Sequence, residues 1–305
     1  MRGIAMTAAL MLLATGSLIL PGPASAQELS PRAYWPAPDG TSVLSLAYQY
    51  SRGDVVIDPT LPIEGVDARI SVAQAAYTHT FGFLGRTSSL QLSLPYTWAD
   101  AEGLYLGQPA SRRIEGWADA RLRFAINLIG APTMNRQEFL ALARNPVPQV
   151  GLSVLLQAPT GDYNNEYLIN LGMNRWGVKP ALGAIYPFAG TWAFEFEVGG
   201  WFFGVNDDFQ GRRRLQNAIL SSEAHLVKYL SRGIWASLDA NFFTGGRTRV
   251  DGTLNRDLLR NSRMGATVVM PFGGKHALRA SYSAGTMTES GGDYDVVSLV
   301  YVYLW

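Results

Sequence analysis

The stretch T-S-S-L-Q-L-S-L-P-Y-T-W, residues Thr87–Trp98, indicates the fold class of this chain. From Leu90 onward every second residue is leucine, tyrosine or tryptophan, and the residues between them, such as Gln91 and Ser93, are mostly polar. Successive side chains of a β-strand point to opposite faces, so this alternation predicts a strand with one apolar face and one polar face. A run of about ten residues with aromatic residues at one end is typical of strands that cross an outer membrane.

The same alternation recurs along the chain. It is clearest in Gly116–Leu128, Thr191–Phe203 and Gly233–Thr244. Weaker copies are Val43–Tyr50, Ala68–Phe81, Val150–Thr160, Trp176–Tyr186, Leu220–Leu230, Arg263–Phe272, His276–Gly285 and Tyr294–Trp305. With Thr87–Trp98 these segments predict about 12 strands, of which the second is the least regular because its alternation slips around Gln74–Ala75.

The connections between these strands alternate in length. The short connections are Gly82–Arg86, Pro187–Gly190, Ser231–Gly233 and Gly273–Lys275. The long polar connections are Ser51–Asp67, Ala99–Glu115, Gly161–Arg175, Gly204–Asn217, Gly245–Ser262 and Thr286–Asp293. Short turns at one rim and long loops at the other are typical of outer-membrane barrels.

One connection does not follow this alternation. Residues Ile129–Gln149 fall where a short turn is expected, but the connection is long. Its centre, Met134–Arg144, has the composition of a helix and is flanked by Pro132 and Pro146. We therefore expect a short helix on the periplasmic rim of the barrel.

The first residues have the pattern of a targeting segment. Arg2 is followed by the apolar run Ile4–Leu20, by a Pro-Gly-Pro break and by the small-residue cleavage site Ala24-Ser25-Ala26. This is the pattern of a secretory signal peptide. The predicted organisation is a signal peptide over residues 1–26, an N-terminal periplasmic segment over residues 27–40 and a β-barrel over residues 41–305.

The composition excludes several other classes of protein. Lys and Arg total 25 against 24 for Asp and Glu, so the chain lacks the basic excess of a nucleic-acid-binding protein. It has no cysteine, which excludes a disulfide scaffold and a zinc site made of thiolates. Charged residues make up 16% and hydrophobic residues 48%, and this combination disfavours intrinsic disorder.

Two fold classes remain, a soluble β-sandwich and a transmembrane β-barrel. A sandwich would use the same alternation but would place the charged face in solvent. The strand length and the loop alternation favour the barrel, as do the alternating aromatic residues Tyr301, Tyr303 and Trp305 at the C-terminus. We therefore predict an all-β fold, a transmembrane barrel of about 12 antiparallel strands in the outer membrane of a Gram-negative bacterium. Its expected partners are outer-membrane lipid and the barrel-assembly machinery, which would recognise the last strand.

In such a barrel the apolar strand faces meet lipid and the polar faces meet the lumen. The charged residues on the predicted lumen face are the candidate site residues: Asp119, Arg121, Arg123, Lys179, Glu195, Glu197, Glu223, Asp239, Arg263 and Arg279. The acids from Glu195 to Asp239 fall on three consecutive strands, and the bases fall on the strands before and after them. Two interpretations need the same residues, namely a polarised constriction that orients solutes and a set of salt bridges that rigidifies a closed barrel.

We find no sequence pattern that indicates an enzyme, a metal site or a bound cofactor. The histidines are His79, His225 and His276, and only His225 has an acid, Glu223, on its own strand face. A metal site needs three or four ligands, and no others are evident in the sequence. A barrel lipase would need a Ser–His pair on the lipid-facing side near one rim, and no histidine has a serine two residues on.

The densest motif outside the strands begins with Pro159-Thr160-Gly161-x-Tyr163 and continues as N-L-G-x-N-R-W-x-x-K-P-x-x-G over Asn170–Gly183. It either folds this loop inward or caps an ordinary surface loop. Together with Gly116–Arg123 and Gly265-Ala266-Thr267, it resembles the outer-membrane family assigned to the MetA pathway of phenol degradation, whose members are often called transporters. The resemblance spans most of the chain after the signal peptide. It implies an outer-membrane barrel that moves aromatic or other small organic compounds, and it brings no catalytic or binding residue.

The sequence therefore favours an outer-membrane channel or transporter for small solutes, hydrophobic or aromatic compounds among them. The main alternative is a closed structural or partner-binding barrel without transport activity, and a membrane-embedded lipid enzyme is a third. Two groups of arginines lie in predicted outer loops, Arg112–Arg113 and Arg212–Arg214, and they either pair with lipopolysaccharide phosphates or are ordinary solvated charges.

Overall fold

The computed structural model describes residues 30–56, 63–105, 107–167, 169–231 and 233–305. The predicted signal peptide, residues 1–26, lies outside these ranges. The first strand begins at Ser42, one residue after the predicted start of the barrel. The sequence predicts a periplasmic segment before it, and the described part of that segment, residues 30–40, contacts side chains in the barrel interior.

Strands dominate the described part of the chain. In chain order they are β1 (Ser42–Val56), β2 (Ile63–Phe83), β3 (Arg86–Tyr105), β4 (Gln108–Trp117), β5 (Arg121–Ile129), β6 (Gln149–Gln157), β7 (Gly177–Phe188), β8 (Trp192–Phe203), β9 (Asn206–Phe209), β10 (Arg212–Gln216), β11 (Ile219–Tyr229), β12 (Trp235–Gly245), β13 (Thr248–Val250), β14 (Thr253–Leu254), β15 (Leu259–Phe272), β16 (His276–Met287) and β17 (Gly291–Leu304). One helix, α1 (Arg136–Arg144), lies between β5 and β6 in this part of the chain.

Twelve strands close into an antiparallel β-barrel, with β4 extending the fourth of them. The ring closes because β1 pairs with both β2 and β17, so that Ser45 lies opposite Ala76 on one side and Val302 on the other. Closure leaves no free sheet edge, which a barrel in lipid requires because each unpaired backbone group would be costly there. The predicted fold class and number of barrel strands are confirmed.

The fourth barrel strand is interrupted. The alternation predicts one strand over Gly116–Leu128, whereas β4 ends at Trp117 and β5 begins at Arg121. β4 pairs with the half of β3 near Tyr105, and β5 pairs with the other half. Asp119 lies in the gap, where its carboxylate accepts hydrogen bonds from the backbone of a later loop instead of facing a strand neighbour. This loop contact accounts for the break in the strand.

Several strands continue beyond their predicted ends. The predicted loops Ser51–Asp67 and Ala99–Glu115 are largely strand, because β2 begins at Ile63 and β3 continues to Tyr105. Charged residues such as Asp100 replace apolar ones on the outer face of these extensions. The alternation of hydrophobicity is therefore lost there although the backbone pairing continues.

A second, four-stranded sheet is built from β9, β10, β13 and β14. It lies within the long connections predicted over Gly204–Asn217 and Gly245–Ser262. We call the end of the barrel that carries this sheet and the long hairpins the loop end. The opposite end, where β1 begins and β17 ends, is called the turn end.

Tight turns at the turn end confirm the predicted short connections. Leu84-Gly85 joins β2 to β3 with φ angles of 52° and 70°, and Gly273-Gly274 between β15 and β16 has φ angles of 58° and 77°. The first is a two-residue turn, whose positive φ angles match the twist of the strands that it joins, and the second is a three-residue loop that includes Lys275. Glycine adopts such φ angles without the steric cost that other residues incur.

The predicted helix forms at the turn end. The Asn135 side chain accepts hydrogen bonds from the backbone N–H groups of Gln137 (2.8 Å) and Glu138 (3.1 Å), and the Glu138 carboxylate accepts one from the N–H of Asn135 (2.8 Å). This capping box satisfies N–H groups that have no partner within the helix. Phe139 is fully buried, so α1 packs into the end of the barrel and does not project from its rim.

The two faces of the strands lie in different surroundings. On β3, the Leu92 side chain is 45% exposed on the outer surface, whereas the adjacent Ser93 is 2% exposed and lies inside. Leu90, Leu122 and Phe194, which the sequence places on the lipid-facing side, are exposed on the outer surface too. An apolar outer belt around a polar interior is the pattern of a transmembrane barrel.

Candidate functional site in the barrel lumen

Residues Ser30–Gly40, which we call the inserted segment, lie in the lumen at the turn end. Backbone N–H groups of the segment donate hydrogen bonds to carboxylates of the barrel wall. The N–H of Ser30 donates to Glu223 Oε2 at 3.0 Å, and the N–H of Arg32 donates to Glu195 Oε2 at 2.5 Å. Both carboxylates belong to strands more than 160 positions away in the sequence, β8 and β11. Two acids of the predicted site therefore hold a segment of the same chain.

Tyr34 is the deepest aromatic contact of the inserted segment with β6 and β7. Its hydroxyl donates to Glu197 Oε2 at 2.7 Å and lies 2.9 Å from Ser153 Oγ. Burial, together with the nearby Glu197 charge, raises the pKa of the Tyr34 phenol, which therefore stays protonated as a donor. The ring fits only because Gly151 and Gly183 have no Cβ, since a Cβ there would lie 2.2 Å and 2.1 Å from ring carbons.

Arg32 lies among three aromatic rings. Its guanidinium carbon is 4.0 Å from the ring centre of Trp35, 5.0 Å from that of Tyr229 and 5.7 Å from that of Trp235. The residue is 2% exposed. A guanidinium at these distances from ring faces is attracted by their quadrupoles, and more strongly when water is excluded. Arg32 therefore adds an electrostatic anchor to the hydrogen bonds of the inserted segment.

Two acids of the wall, Glu197 and Glu223, are paired with bases on other strands. Lys179 Nζ lies 2.9 Å from Glu197 Oε1 and 3.6 Å from Glu223 Oε1. Arg123 NH2 lies 3.9 Å from Glu197 Oε2. The strand positions predict an acidic side and basic sides of the lumen, but the long basic side chains reach across to the acids. The sequence left two interpretations open, a polarised constriction and a set of stabilising salt bridges. In the structure both involve the same connected cluster of charged side chains.

His225 connects two further acids of this cluster. Its Nδ1 lies 2.8 Å from Asp239 Oδ1, and its Nε2 lies 3.6 Å from Glu223 Oε2. Thr267 Oγ1 donates to the other oxygen of Asp239 at 2.8 Å. All four side chains are buried, so the pairing rigidifies the wall formed by β11, β12 and β15.

An apolar layer lies between this cluster and the turn end. Phe139 of α1 and Trp35 of the inserted segment pack together with inward-facing residues of the barrel wall. Those wall residues are Val43, Ile185, Ala193, Val227, Trp235, Val269, Ala277, Val300, Val302 and Leu304. The helix, the inserted segment and the wall thus form one packed cluster that occupies the lumen at this end.

Asp119 serves a different purpose from the other acids. Its carboxylate accepts hydrogen bonds from the backbone N–H groups of Gly161 (3.0 Å) and Met173 (3.0 Å) and from Gln157 Nε2 (2.8 Å). Arg121 Nε donates to the Gln157 side-chain oxygen at 3.1 Å. Asp119 and Arg121 therefore hold the loop between β6 and β7, residues 158–176, against the barrel wall.

This loop carries the densest sequence motif, and close contacts in the folded loop explain why glycines stand there. A Cβ on Gly161 would lie 2.8 Å from the Cα of Gly172, so the two ends of the loop touch at backbone level. Asp162 Oδ2 accepts a hydrogen bond from the Trp117 N–H at 2.8 Å. A Cβ on Gly116, whose φ is +149°, would lie 2.0 Å from that oxygen. The ends of the loop thus fold inward, whereas asparagine side chains cap its exposed centre, so the structure contains elements of both interpretations.

Arg175, also in this motif, lies near the second apolar cluster of the interior, which includes Trp201 and Phe243. Its guanidinium is 4.8 Å from the Phe203 ring centre and donates to the Gln216 side-chain oxygen. Burial lowers the pKa of Arg175 to about 9, because the charged form loses its hydration. The motif therefore connects the loop to the small sheet at the loop end.

The remaining predicted site residues are Arg263 and Arg279. Arg263 NH1 donates to Ser283 Oγ at 2.9 Å, and Arg279 is 9% exposed with Asp239 as an electrostatic partner. The structure thus brings six of the predicted residues together around the inserted segment: Arg123, Lys179, Glu195, Glu197, Glu223 and Asp239. It assigns Asp119 and Arg121 to the loop and places Arg263 on β15 next to β16.

The residues that the sequence did not assign to the site are those of the inserted segment. The stretch S-P-R-A-Y-W-P, residues 30–36, combines an arginine with two aromatic residues and is not part of any strand pattern. The sequence offers one signal for this site, which is an arginine close to two aromatic residues in the short segment before the first strand. Its place in the lumen depends on contacts with distant strands, which no local pattern reports.

Two features are absent from the described ranges, namely a cluster of possible metal ligands and a helix that could span a membrane. Among those residues, no three histidine, aspartate or glutamate side chains are grouped so that they could hold a metal ion. In the same part of the chain, no helix is both long enough and apolar enough to span a membrane.

A closed barrel with an apolar outer belt and a charged interior defines a class, because it is the architecture of outer-membrane channels. An outer-membrane channel from Pseudomonas putida F1 is similar, with a TM-score of 0.76 and 21% identity over 89% of this chain and 98% of that one. The transport unit of the autotransporter AIDA-I from Escherichia coli matches with a TM-score of 0.53 and 8% identity over 86% and 90%. The NanC porin matches with a TM-score of 0.50 and 6% identity over 85% and 98%.

The chain belongs to the family described as "Putative MetA-pathway of phenol degradation", whose model matches residues 50–298. The match begins within β1 and ends within β17, so it spans nearly the whole barrel. The family resemblance carried by the loop motif is confirmed. No curated protein matches the sequence.

Proposed function

We propose that this protein is a passive outer-membrane channel for small organic solutes, closed at its turn end by the inserted segment. The family description favours aromatic or other hydrophobic compounds as solutes. In this proposal the turn end faces the periplasm, because short turns lie on that side of outer-membrane barrels. The last strand, β17, ends in alternating aromatic residues that suit recognition by the barrel-assembly machinery.

The observation that carries the proposal is the way in which the inserted segment is held. Its contacts with the acids of the wall, Glu195, Glu197 and Glu223, are hydrogen bonds made by two backbone N–H groups and one phenol. Water or a polar solute can replace such bonds at modest net cost, whereas a strand of the sheet could not leave without exposing a whole ladder. In this proposal a solute that replaces these contacts displaces the segment, and the charged lumen behind it then becomes accessible.

A second candidate function has support of its own. The apolar layer around Phe139 and Trp35 resembles a protein core, and its burial stabilises the occupied state. A barrel that keeps this layer at all times would be a closed structural or partner-binding protein. The two candidates differ in one measurable property, which is conductance.

The loop end supports a further proposal about partners. Arg112 stacks on Tyr167 with 3.7 Å between its guanidinium carbon and the ring centre, and Arg213 pairs with Asp207 at 3.4 Å. Arg212 is exposed on the small sheet. We propose that these arginines contact lipopolysaccharide phosphates, since a guanidinium binds phosphate oxygens in pairs.

The experiment that tests the channel is single-channel recording of the refolded full chain and of Gly183→Ala. The new methyl group would overlap the Tyr34 ring, so it should displace the inserted segment and leave the strand itself intact. We expect a larger fraction of open time in this variant than in the wild type. Gly200→Ala is the control, because its methyl group would meet only the ring of Phe202 at 3.3 Å.

Heat-induced mobility shifts on gels establish that each variant is a folded barrel. Current in the wild type that increases in Gly183→Ala supports the proposal. Folded protein that carries no current in either form favours the closed barrel.

A further inference from the structure

The wall of the lumen contains two of the three rings of an aromatic cage. Tyr229 and Trp235 lie directly opposite each other on β11 and β12, and both rings approach the guanidinium of Arg32. The third ring, Trp35, belongs to the inserted segment and moves with it. When the segment leaves, the wall therefore retains two ring faces that attract a cation.

A buried carboxylate lies beside these rings. Glu195 is 4% exposed, and the described residues give it one hydrogen bond, from the N–H of Arg32, and no ion pair within 4.0 Å. Its Oε1 is among the buried polar atoms that have no hydrogen-bond partner in that part of the chain, and so is the Tyr229 hydroxyl. Arg32 is its first electrostatic partner of opposite charge, and His225, directly opposite on β11, is the second. The other acids of the wall differ, because Glu197 and Glu223 are paired with Lys179.

Departure of the inserted segment would therefore remove the Arg32 charge from Glu195. A buried carboxylate that loses its main counter-charge is costly, and for Glu195 only the more weakly interacting His225 would remain. Two aromatic faces and a free hydroxyl lie around it, and the apolar side chains of Ala193 and Val227 adjoin them on the same faces of β8 and β11. A ligand with a positive group and an apolar body would satisfy every one of these groups.

We propose that the inserted segment occupies this place as an internal ligand, and that the solutes admitted by the channel are small organic cations with an apolar body. An ammonium or guanidinium group would take the position of the Arg32 guanidinium between Glu195, Tyr229 and Trp235. The apolar body would lie against Ala193 and Val227. This inference rests on the proposed channel function and adds to it the charge class of the solute.

The test measures binding by isothermal titration calorimetry, with refolded full chain in detergent. The probes are benzylammonium, benzyl alcohol and benzoate, which share a ring and differ in charge. The variants are the wild type, Arg32→Ala and Arg32→Ala combined with Glu195→Gln. Where Arg32→Ala does not refold, Arg32→Gln removes the guanidinium charge from the cage while keeping the first two methylene groups of the side chain.

We expect Arg32→Ala to bind benzylammonium about tenfold more tightly than the wild type, in which Arg32 competes for the cage. Adding Glu195→Gln should weaken that binding about tenfold or more, since the counter-charge is lost. Benzyl alcohol and benzoate should bind more weakly than benzylammonium to Arg32→Ala, and this preference should shrink when Glu195→Gln is added.

Equal binding of the three probes to Arg32→Ala would overturn the inference, and so would unchanged benzylammonium affinity after Glu195→Gln. Conductance is recorded on the same samples, so the inference and the proposed function can fail separately. Current without selective benzylammonium binding removes only the cation site. Selective binding without current keeps the site and removes the channel.

Discussion

Leu92 and Leu104 point outward from the same strand, β3, but at different heights in the barrel. Leu92 lies within the apolar belt, whereas Leu104 lies on the hairpin beyond it, next to polar residues. An arginine on the lipid face costs about 2–4 kcal/mol at the bilayer midplane and about 0–1 kcal/mol near the interface. Comparing the same substitution at the two positions therefore isolates the effect of depth in the membrane on stability.

We predict that Leu92→Arg destabilises the folded barrel by about 2–4 kcal/mol and that Leu104→Arg destabilises it by about 1 kcal/mol or less. Both values come from urea unfolding in lipid vesicles, monitored by tryptophan fluorescence. Equal destabilisation at the two positions would show that the apolar belt does not end between Leu92 and Leu104.

At this scale the sequence predicts which way a side chain points but not what it contacts. The alternation places Ser93 inside and Leu92 outside, and the structure agrees. The same alternation makes Asp119 a lumen-lining charge, yet its carboxylate holds the backbone of a loop. The period of a strand determines the face of a residue, whereas its partner depends on where a loop 40 residues later returns.

Asp119 accepts hydrogen bonds from both ends of the loop over residues 158–176, so this one side chain holds the loop in place. Asp119→Ala would leave the partly buried N–H groups of Gly161 and Met173 without an acceptor, at about 1–3 kcal/mol for each group. We predict that chymotrypsin then cleaves this loop, which contains Tyr163 and Tyr167, much faster than in the wild type, while the barrel stays folded on gels.

Asp162→Ala is the matched control for this element. It removes an acceptor in the same loop, but that acceptor serves one N–H group, of Trp117, in a more exposed position. Its cleavage rate should change less than that of Asp119→Ala. Identical cleavage of Asp119→Ala and the wild type would contradict an anchoring role for Asp119.

Elements within the apolar belt were predictable because hydrophobicity alternates there. The helix was predictable from its composition and its flanking prolines, and it begins at Arg136 after the cap Asn135. The small sheet of β9, β10, β13 and β14 was not predictable. Beyond the belt both faces of a strand are hydrated, so no selection for alternation marks a strand there.

The whole molecule combines a barrel that local patterns specify with an interior that they do not. The barrel follows from the strand period and from the need to close the sheet in lipid. The inserted segment follows from contacts such as Ser30 with Glu223, which are 193 positions apart in the sequence. The fold was thus predictable in outline, whereas the occupied lumen required the tertiary structure.

Charge in the lumen acts on the molecule as a whole, because a narrow low-dielectric channel focuses the field of a few groups. Glu197 compensates Lys179 and Arg123, and Glu195 faces Arg32. We predict that Glu195→Gln with Glu197→Gln shifts the reversal potential in a salt gradient toward anion preference, since the uncompensated bases then dominate the lumen. Arg263→Gln with Arg279→Gln should shift it toward cations.

The two double variants also separate the channel from the closed barrel. In a channel, the reversal potentials move in opposite directions, because the variants remove opposite charges from one conducting path. In a closed barrel, both variants lose buried charge pairs, so both lower the unfolding temperature on gels. Absence of current in the wild type, together with a loss of stability in both variants, would defeat the channel, because the buried charges would then serve only to hold the wall and the inserted segment together.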